Sequence, residues 1–337
     1  MGTIFTRTLG KSAIEVSALG MGCWQIGGAT YAEMQLGGGK FGWGEVDDDE
    51  SIRALHAALA AGVTFFETAD VYGGGHSEEV LGRALTGRRQ QAVIATKFGF
   101  VFDPYTRQML GRDSSSAYIR RACEGSLKRL NTDYIDLYLL HNGDIDELYI
   151  DDVCDVLERM VAAGKIRAYG WCTWPNKIAG ARTFAQHEHC AAIEHRLNVL
   201  EDAPEMLTLC EQSNLASIVL APLAMSLLTG KFTRETHFPD GDVRHGWNLS
   251  SGPEAELLNR AEQIREILTS DGCTPAQGAL RWLWSRSSCT IPIPGFRTVQ
   301  QVEENAEALR HGPLSQQQID QLNDLSSKAA TMGILNR

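Results

Sequence analysis

The sequence lacks any apolar run of membrane-spanning length, and it is short of positive charge. Lys and Arg number 31 against 42 Asp and Glu, which gives the 337 residues a formal net charge of −11. A transmembrane helix needs about 20 consecutive apolar residues. An acidic chain also repels the phosphates of nucleic acids and anionic lipids. We therefore expect neither a membrane nor a nucleic acid among its partners.

Paired cysteine motifs are missing as well. The eight cysteines are spread along the chain, and no two of them form a Cys-x-x-Cys pair. This spacing argues against a zinc ribbon or a disulfide framework and is typical of free thiols in a reducing compartment. The first residues lack the basic start and apolar core of a signal peptide. We expect a cytoplasmic protein without a metal site, either a monomer or a homo-oligomer.

The glycine fingerprint of a doubly wound dinucleotide-binding fold is absent. That fold requires Gly-x-Gly-x-x-Gly after its first strand, and Gly20-Met21-Gly22 supplies only the first two glycines. A second glycine-rich stretch, Gly37–Gly39, is followed by Lys40 and by no helical pattern. We interpret that stretch as a loop rather than a phosphate-binding turn.

Short apolar runs do alternate with amphipathic segments over most of the chain. Buried parallel strands are continuous apolar runs, and strand–helix alternation favours a parallel sheet. Eight such units predict an α/β fold, a (β/α)8 TIM barrel that forms a single domain over residues 1–337. The predicted strands are 16–21, 63–66, 92–96, 134–140, 166–170, 191–194, 217–221 and 290–293.

Helix boundaries have their own signals. Apolar positions recur at helical spacing over 52–59, 119–130 and 153–161, and the residues that follow these segments are Gly62, Asn131 and Gly164. Glycine and asparagine tolerate the left-handed conformation that ends many helices. Ser77 precedes two glutamates and is a predicted N-cap. Residues 314–327 form a predicted helix outside the barrel.

Three of the predicted strands end in reactive side chains. Residues 63–66 are followed by Glu67, 92–96 by Lys97, and 134–140 by His141, while Tyr72 comes five residues after Glu67. The C-terminal ends of barrel strands converge on the face that carries the chemistry. We therefore expect a carboxylate, a phenol, an ammonium and an imidazole in one site suited to proton transfer.

At this point the sequence resembles the aldo-keto reductases over nearly its whole length. Each motif is weak alone, but their order along the chain is specific. The motifs that carry the resemblance are Phe66-Glu67-Thr68-Ala69-Asp70-Val71-Tyr72-Gly73, Ala95-Thr96-Lys97, Asp136-Leu137-Tyr138-Leu139-Leu140-His141, Pro222-Leu223, Leu228-Thr229-Gly230-Lys231, and Ile293-Pro294-Gly295-Phe296-Arg297 with Glu304-Asn305.

The resemblance implies an NADP(H)-dependent oxidoreductase that interconverts an aldehyde or ketone and an alcohol. It carries catalytic roles to Glu67, Tyr72, Lys97 and His141. Tyr72 would protonate the carbonyl oxygen and His141 would orient it, because hydride addition builds negative charge on that oxygen. A free tyrosine has a pKa of roughly 10. The Lys97 ammonium is expected to lower that value, and the carboxylate to hold Lys97 in place.

The sequence departs from the family at several positions. Members usually have Asp where this chain has Glu67, and we favour a repacked but competent site there. Members also often have Ser, Asn and Gln around the nicotinamide carboxamide, where this chain has Cys172, Thr173 and Glu194. The resemblance therefore implies the barrel fold more strongly than it implies the contacts with the nicotinamide.

The resemblance also implies the remaining cofactor contacts. Arg297 follows the last predicted strand, and its guanidinium suits a bidentate contact with a 2′-phosphate, which favours NADP over NAD. Gln301 and Asn305 follow it at helical spacing. The full predicted cofactor-binding set is Trp24, Cys172, Thr173, Glu194, Pro222, Leu223, Gly295, Arg297, Gln301 and Asn305.

Substrate and alternative functions remain open from the sequence. The stretch 229–253 is too long for a plain connection and is a predicted lid. Trp24, Trp171 and Trp174 are expected pocket walls, which suggests a flat or sugar-like small molecule. Two alternatives to the reductase are an NADP-binding regulatory subunit with little turnover and a redox-neutral epimerase that holds its cofactor tightly.

Overall fold

The computed structural model describes residues 5–32 and 39–331. In chain order the strands are β1 (Thr6–Thr8), β2 (Glu15–Ser17), β3 (Gly20–Gly22), β4 (Ala29–Ala32), β5 (Gly39–Gly42), β6 (Phe65–Glu67), β7 (Val93–Phe98), β8 (Phe100–Asp103), β9 (Gln108–Arg112), β10 (Ile135–Leu140), β11 (Ile166–Cys172), β12 (Cys190–Arg196), β13 (Ala216–Leu220) and β14 (Thr290–Pro292). The helices are α1 (Asp48–Ala60), α2 (His76–Ala84), α3 (Ser116–Leu130), α4 (Ile150–Ala162), α5 (Ile178–Ala185), α6 (Pro204–Gln212), α7 (Pro253–Leu268), α8 (Pro275–Arg286), α9 (Val299–Glu307) and α10 (Gln316–Thr331).

Eight parallel strands form the central sheet, in the order β3-β6-β7-β10-β11-β12-β13-β14. The two edges meet where Gly22 bridges Gly295 and its N–H donates to the Pro294 carbonyl at 3.1 Å. This contact closes the sheet into a nearly complete barrel. The predicted (β/α)8 fold is therefore confirmed, and each predicted strand overlaps an observed one.

The first predicted strand, 16–21, is wrong as a single element. Residues 15–17 pair antiparallel with Thr6–Thr8, and only Gly20–Gly22 join the barrel. Leu9, Ile14 and Val16 of this hairpin pack against inward-facing barrel side chains such as Phe65. The hairpin therefore covers the N-terminal end of the barrel. Because its residues are buried as well, they join the apolar residues of β3 into one apolar run in the sequence.

A small four-stranded sheet, β5-β4-β9-β8, lies beside the turn that carries Tyr72. The Thr30 hydroxyl accepts a hydrogen bond from the Gly73 N–H at 3.0 Å and donates to the Val71 carbonyl at 3.3 Å. The expected loop at Gly37–Lys40 is wrong in part, because Gly39 and Lys40 belong to β5. Gly37 and Gly38 lie outside the described residues.

Most of the predicted helix ends agree with the structure. The Asp47 side chain caps α1, and Asn131 ends α3 with a φ of 52°. Ser77 is not an N-cap, because α2 already begins at His76 after Gly75. The Ser77 hydroxyl instead donates to the Cys23 carbonyl at 2.7 Å, which ties α2 to the barrel.

Helix α10 overlaps the predicted helix over residues 314–327 but begins at Gln316. All eight cysteines are free thiols. None of the helices within residues 5–32 and 39–331 combines the length and the apolar character that a bilayer crossing requires.

Candidate active site

The barrel brings the four predicted side chains together at the C-terminal ends of its strands. Glu67 is the last residue of β6, Lys97 is near the end of β7, and His141 follows β10 directly. Tyr72 begins a short 3₁₀ turn, Tyr72–Gly75, that leads into α2. Because β7 lies between β6 and β10 in the sheet, Lys97 occupies the middle of the cluster.

Lys97 is fully buried and holds the cluster together. Its Nζ donates to the Tyr72 hydroxyl at 3.0 Å and forms an ion pair with Glu67. The Tyr72 hydroxyl lies 3.4 Å from Glu67 Oε1. The longer Glu67 side chain therefore still reaches the ammonium, which agrees with a repacked site rather than a broken one.

Glu194 is a second carboxylate partner of Lys97, a contact that the sequence does not reveal. Its Oε1 lies 3.3 Å from Lys97 Nζ and accepts a 3.4 Å hydrogen bond from the Cys172 thiol. Only 1% of Glu194 is exposed, and its Oε2 has no hydrogen-bond partner among the described residues. One buried ammonium thus faces two buried carboxylates.

This arrangement reverses the expected effect on Tyr72. Burial, followed by the Glu194 carboxylate, raises the pKa of the Tyr72 hydroxyl well above its ordinary value of 10. The expected lowering of this pKa by Lys97 is therefore outweighed. The physical reason is that burying the phenolate costs more than the neighbouring ammonium stabilises it, and the Glu194 carboxylate adds to the upward shift.

His141 is a neutral imidazole in this environment. Burial, together with the charges of Lys97 and Arg112, lowers the pKa of His141 well below its ordinary value of 6.5. Its ring meets the Tyr72 ring edge-on, with the centroids 5.9 Å apart. Its Nδ1 has no hydrogen-bond partner among the described residues. The imidazole can therefore offer a polar atom to a bound molecule without carrying charge.

The three tryptophans expected as pocket walls have different positions. Trp24 stacks on the Tyr72 ring at 5.9 Å and contacts Trp43 edge-on. Trp174 is about half exposed, at 51%. Trp171 is not a wall, because it is buried and stacks on Phe184 in the packing between strand and helix.

Cys172 and Thr173 lie beside Glu194 on the rim of the barrel. Cys172 ends β11 and pairs in register with Glu194 of β12. The Thr173 N–H donates to the Glu194 carbonyl at 2.9 Å, and its hydroxyl donates to the Gly143 carbonyl at 3.0 Å. Polar groups for a nicotinamide carboxamide are thus present on this side of the mouth.

The loop after β13 contains Pro222 and Leu223 and has an unusual backbone. Non-glycine residues with positive φ cluster there, at Ala221 (51°), Ala224 (47°), Met225 (54°) and Ser226 (77°). Such conformations cost energy and concentrate at functional sites. The loop that contains these predicted cofactor-binding residues therefore has a backbone conformation that is unfavourable for non-glycine residues and has to be stabilised by its surroundings.

The predicted adenosine-binding residues lie just before α9 and along it. Arg297 is exposed, and its guanidinium donates to the Glu45 carbonyl at 2.5 Å. The Gln301 side chain accepts from the Arg297 N–H at 2.7 Å, and Asn305 is buried. A Cβ on Gly295 would meet the amide group of Gln25, so a larger residue there would have to displace that side chain.

Arg244 is a site-forming residue that the sequence does not single out. Its guanidinium lies over the rings of Trp43 and Phe238, pairs with Asp242 at 2.8 Å, and donates to the Met225 carbonyl at 3.2 Å. It fastens the predicted lid segment to the strained loop and to Trp43, the residue that follows β5. No sequence pattern predicts these contacts, since they join distant parts of the chain.

These positions follow the C-terminal ends of adjacent strands. Cys172, Thr173 and Glu194 supply polar groups at β11 and β12, a strained turn follows β13, and the exposed Arg297 stands between β14 and α9. Among the described residues, no group of three or more His, Cys, Asp or Glu side chains is placed to hold a metal ion.

Comparison with known proteins agrees with this geometry. The aldo/keto reductase family model matches residues 33–327. The chain belongs to the aldo/keto reductase family. A relative from Schizosaccharomyces pombe, the aldo-keto reductase yakc [NADP(+)], is 31% identical over 337 residues, covering 98% of this chain and 94% of the relative. The aldo-keto reductase YhdN of Bacillus subtilis is 32% identical, covering 89% and 87%.

Solved structures of the family have the same fold. The glycerol dehydrogenase AKR11B4 from Gluconobacter oxydans matches with a TM-score of 0.81 and 30% identity, covering 96% of this chain and 95% of that one. An aldo-keto reductase from Klebsiella pneumoniae in complex with NADPH matches with a TM-score of 0.69 and 27% identity, covering 96% and 95%. The chain is thus an aldo/keto reductase in sequence and in fold.

Proposed function

We propose that this protein is an NADP(H)-dependent oxidoreductase that interconverts a small aldehyde or ketone and the matching alcohol. The observation that carries the proposal is the 3.0 Å hydrogen bond from Lys97 Nζ to the Tyr72 hydroxyl at the mouth of the barrel. Family membership, the NADP(+) in the name of the S. pombe relative and the NADPH bound in the K. pneumoniae structure support NADP as the cofactor.

The residues at the mouth suit that dinucleotide along its length. Cys172, Thr173 and Glu194 would meet the nicotinamide carboxamide, and Trp24 would border the ring. Pro222, Leu223 and Gly295 would line the middle of the cofactor. Arg297, Gln301 and Asn305 would hold its adenosine end, with the Arg297 guanidinium on the 2′-phosphate. The bound cofactor supplies or accepts a hydride.

Tyr72 is the proposed general acid and base. Its hydroxyl donates a proton to the carbonyl oxygen as negative charge builds there, and positioned donors lower that barrier. The neutral His141 ring, which meets Tyr72 edge-on, orients the same oxygen through a ring nitrogen. Lys97 and Glu67 position the phenol from behind.

The Tyr72 phenol keeps its proton at neutral pH, because burial and Glu194 raise the pKa of its hydroxyl well above 10. The hydroxyl gives up its proton in carbonyl reduction, whereas alcohol oxidation needs the phenolate as a proton acceptor. We therefore propose that alcohol oxidation by this protein requires a higher pH than carbonyl reduction.

The substrate proposal is a small carbonyl compound, with sugar-like molecules as one class. Trp24 borders Tyr72, and the half-exposed Trp174 lies near Gly143 at the rim. Aromatic faces of this kind pack well against flat or hydroxyl-bearing rings. The stretch 229–253, fastened by Arg244, would cover the bound molecules as a lid.

The test is steady NADPH oxidation with a panel of aldehydes, ketones and sugars. Wild type should show saturable turnover, and Tyr72→Phe should lower kcat by about 10²–10⁴-fold while NADPH still binds. Tyr105→Phe is the matched control, because Tyr105 is 96% exposed. Cofactor binding without turnover of any compound would favour a regulatory subunit. Product formation without a change in nicotinamide absorbance would favour an epimerase.

A further inference from the structure

The charges around Lys97 do not balance. The buried ammonium faces Glu67 and Glu194, and both carboxylates lie within contact distance of the same nitrogen. The exposed fraction is 0% for Lys97, 3% for Glu67 and 1% for Glu194. Water therefore screens these charges only weakly. With all three groups ionised, the cluster carries one negative charge in excess.

Glu194 is the source of the excess charge. Its Oε1 already lies against the Lys97 ammonium and accepts a hydrogen bond from the Cys172 thiol. Its Oε2 is buried and has no hydrogen-bond partner among the described residues. Buried polar atoms are rarely left in this state. An unpaired carboxylate oxygen at the rim of a binding mouth therefore points to a complementary partner outside the chain.

The nicotinamide must come close to this charge if the proposed function is correct. Tyr72 Oη lies 3.0 Å and Glu194 Oε1 lies 3.3 Å from the same Lys97 Nζ. A carbonyl that accepts a proton from Tyr72 has to touch the hydride-donating ring as well. The ring therefore sits roughly 6–10 Å from the excess charge, where the interaction is still substantial at low dielectric.

The nicotinamide ring is a cation in the oxidised cofactor and is neutral in the reduced cofactor. We propose that Glu194 makes this site select the oxidised cofactor, so that NADP⁺ binds more tightly than it would beside a neutral side chain. This inference rests on the proposed function. It also means that the bound cofactor gives up its hydride more readily than it would beside a neutral side chain.

The experiment measures dissociation constants for NADP⁺ and NADPH separately, by tryptophan fluorescence and calorimetry, in wild type and in Glu194→Gln. Glutamine keeps the shape of the side chain and removes the charge. We expect the ratio Kd(NADP⁺)/Kd(NADPH) to rise about tenfold in Glu194→Gln. For a two-electron couple, that change raises the potential of the bound cofactor by about 30 mV.

The ratio separates charge from structure. A lost hydrogen bond to the carboxamide or a local disturbance would weaken both redox forms alike and leave the ratio unchanged. Glu201→Gln is the matched control, since it removes a carboxylate that follows the same strand and is 54% exposed in its side chain. That variant should leave the ratio as in wild type.

Each result decides a separate question. If wild type binds neither form of the cofactor, the proposed function fails. If both forms bind and Glu194→Gln leaves the ratio unchanged, the inference about Glu194 is overturned while the function stands. If Glu194→Gln does not fold, Glu67→Gln removes the same charge from the other side of Lys97. An unchanged ratio in that variant would also overturn the inference.

Discussion

The Lys97 ammonium lies 3.0 Å from the Tyr72 hydroxyl, although the two residues come from different segments of the chain. Lys97 has no exposed surface, and its nitrogen also contacts the Thr68 carbonyl at 3.3 Å. The phenol is thus held from behind by a group that solvent does not reach. This arrangement and the groups around it have four testable consequences.

Removing the ammonium should destabilise the fold. In Lys97→Met, Glu67 and Glu194 remain buried without a counter-charge, and breaking a buried ion pair costs about 3–5 kcal/mol. Urea unfolding monitored by circular dichroism measures this loss. Lys177→Met is the control, because its pair with Asp144 is partly exposed and contributes about 1 kcal/mol or less. A Lys97→Met protein as stable as wild type would contradict the ion-pair network.

Shortening Glu67 should slow the enzyme, even though Asp is usual in the family. The Glu67→Asp change withdraws the carboxylate by about 1.3 Å, away from both Lys97 and the Tyr72 hydroxyl. Misplacement on this scale costs about a hundredfold in rate. Single-turnover NADPH oxidation measures the effect, with the exposed Glu79→Asp as the control. Equal or faster turnover would show that the site is not packed around glutamate.

The Arg297 guanidinium should discriminate between NADP and NAD. Replacing it in Arg297→Gln removes a charge-assisted contact with the 2′-phosphate, and we expect a 10–100-fold weaker Kd for NADP⁺. The Kd for NAD⁺ should barely change, since NAD⁺ has no 2′-phosphate. Calorimetric titration measures both constants. The control is Arg310→Gln, whose side chain is 79% exposed, and an equal loss for both cofactors would count against the assignment.

Stability should fall in mild acid because of His195. Burial lowers the pKa of this imidazole from 6.5 to about 4, while its Nε2 lies 2.8 Å from the Ser217 hydroxyl. The unfolded chain therefore binds a proton first as the pH drops below about 6.5, and stability is lost down to about pH 4, by up to about 3 kcal/mol. The buried His141 contributes with the same sign.

Urea midpoints measured between pH 7 and pH 4.5 check this dependence. Removing the titrating group in His195→Gln should flatten the slope, whereas His245→Gln, at an exposed position, should leave it unchanged. Identical slopes in wild type and His195→Gln would contradict the assignment of this acid sensitivity to His195.

The sequence predicted the barrel well because buried parallel strands need continuous apolar runs. The same logic located Glu67, Lys97 and His141, since a reactive residue directly after such a run has to lie at the C-terminal end of a strand. The predicted boundaries failed where two buried elements follow each other, as in the hairpin strand Glu15–Ser17 and the barrel strand Gly20–Gly22.

The electrostatics of the site could not be predicted, because they depend on contacts between distant segments. Lys97 meets Glu194 only once the barrel closes, and the upward shift of the Tyr72 pKa comes from burial first and from the Glu194 carboxylate second. The structural role of Arg244 likewise depends on its contacts with Trp43 and Met225, which no local sequence pattern predicts. Trp171 was expected in the pocket because residue type alone does not show which face of a strand points inward.

In the described part of the chain, the N-terminal hairpin covers the end of the barrel opposite the candidate site. Leu9, Ile14 and Val16 pack there, whereas Trp24 and Arg244 lie on the side of Tyr72 and Lys97. A cofactor and a substrate would then bind and leave on the same side of the barrel. A dinucleotide bound there would form part of the surface that a smaller molecule contacts, so the two would bind and leave in a fixed order.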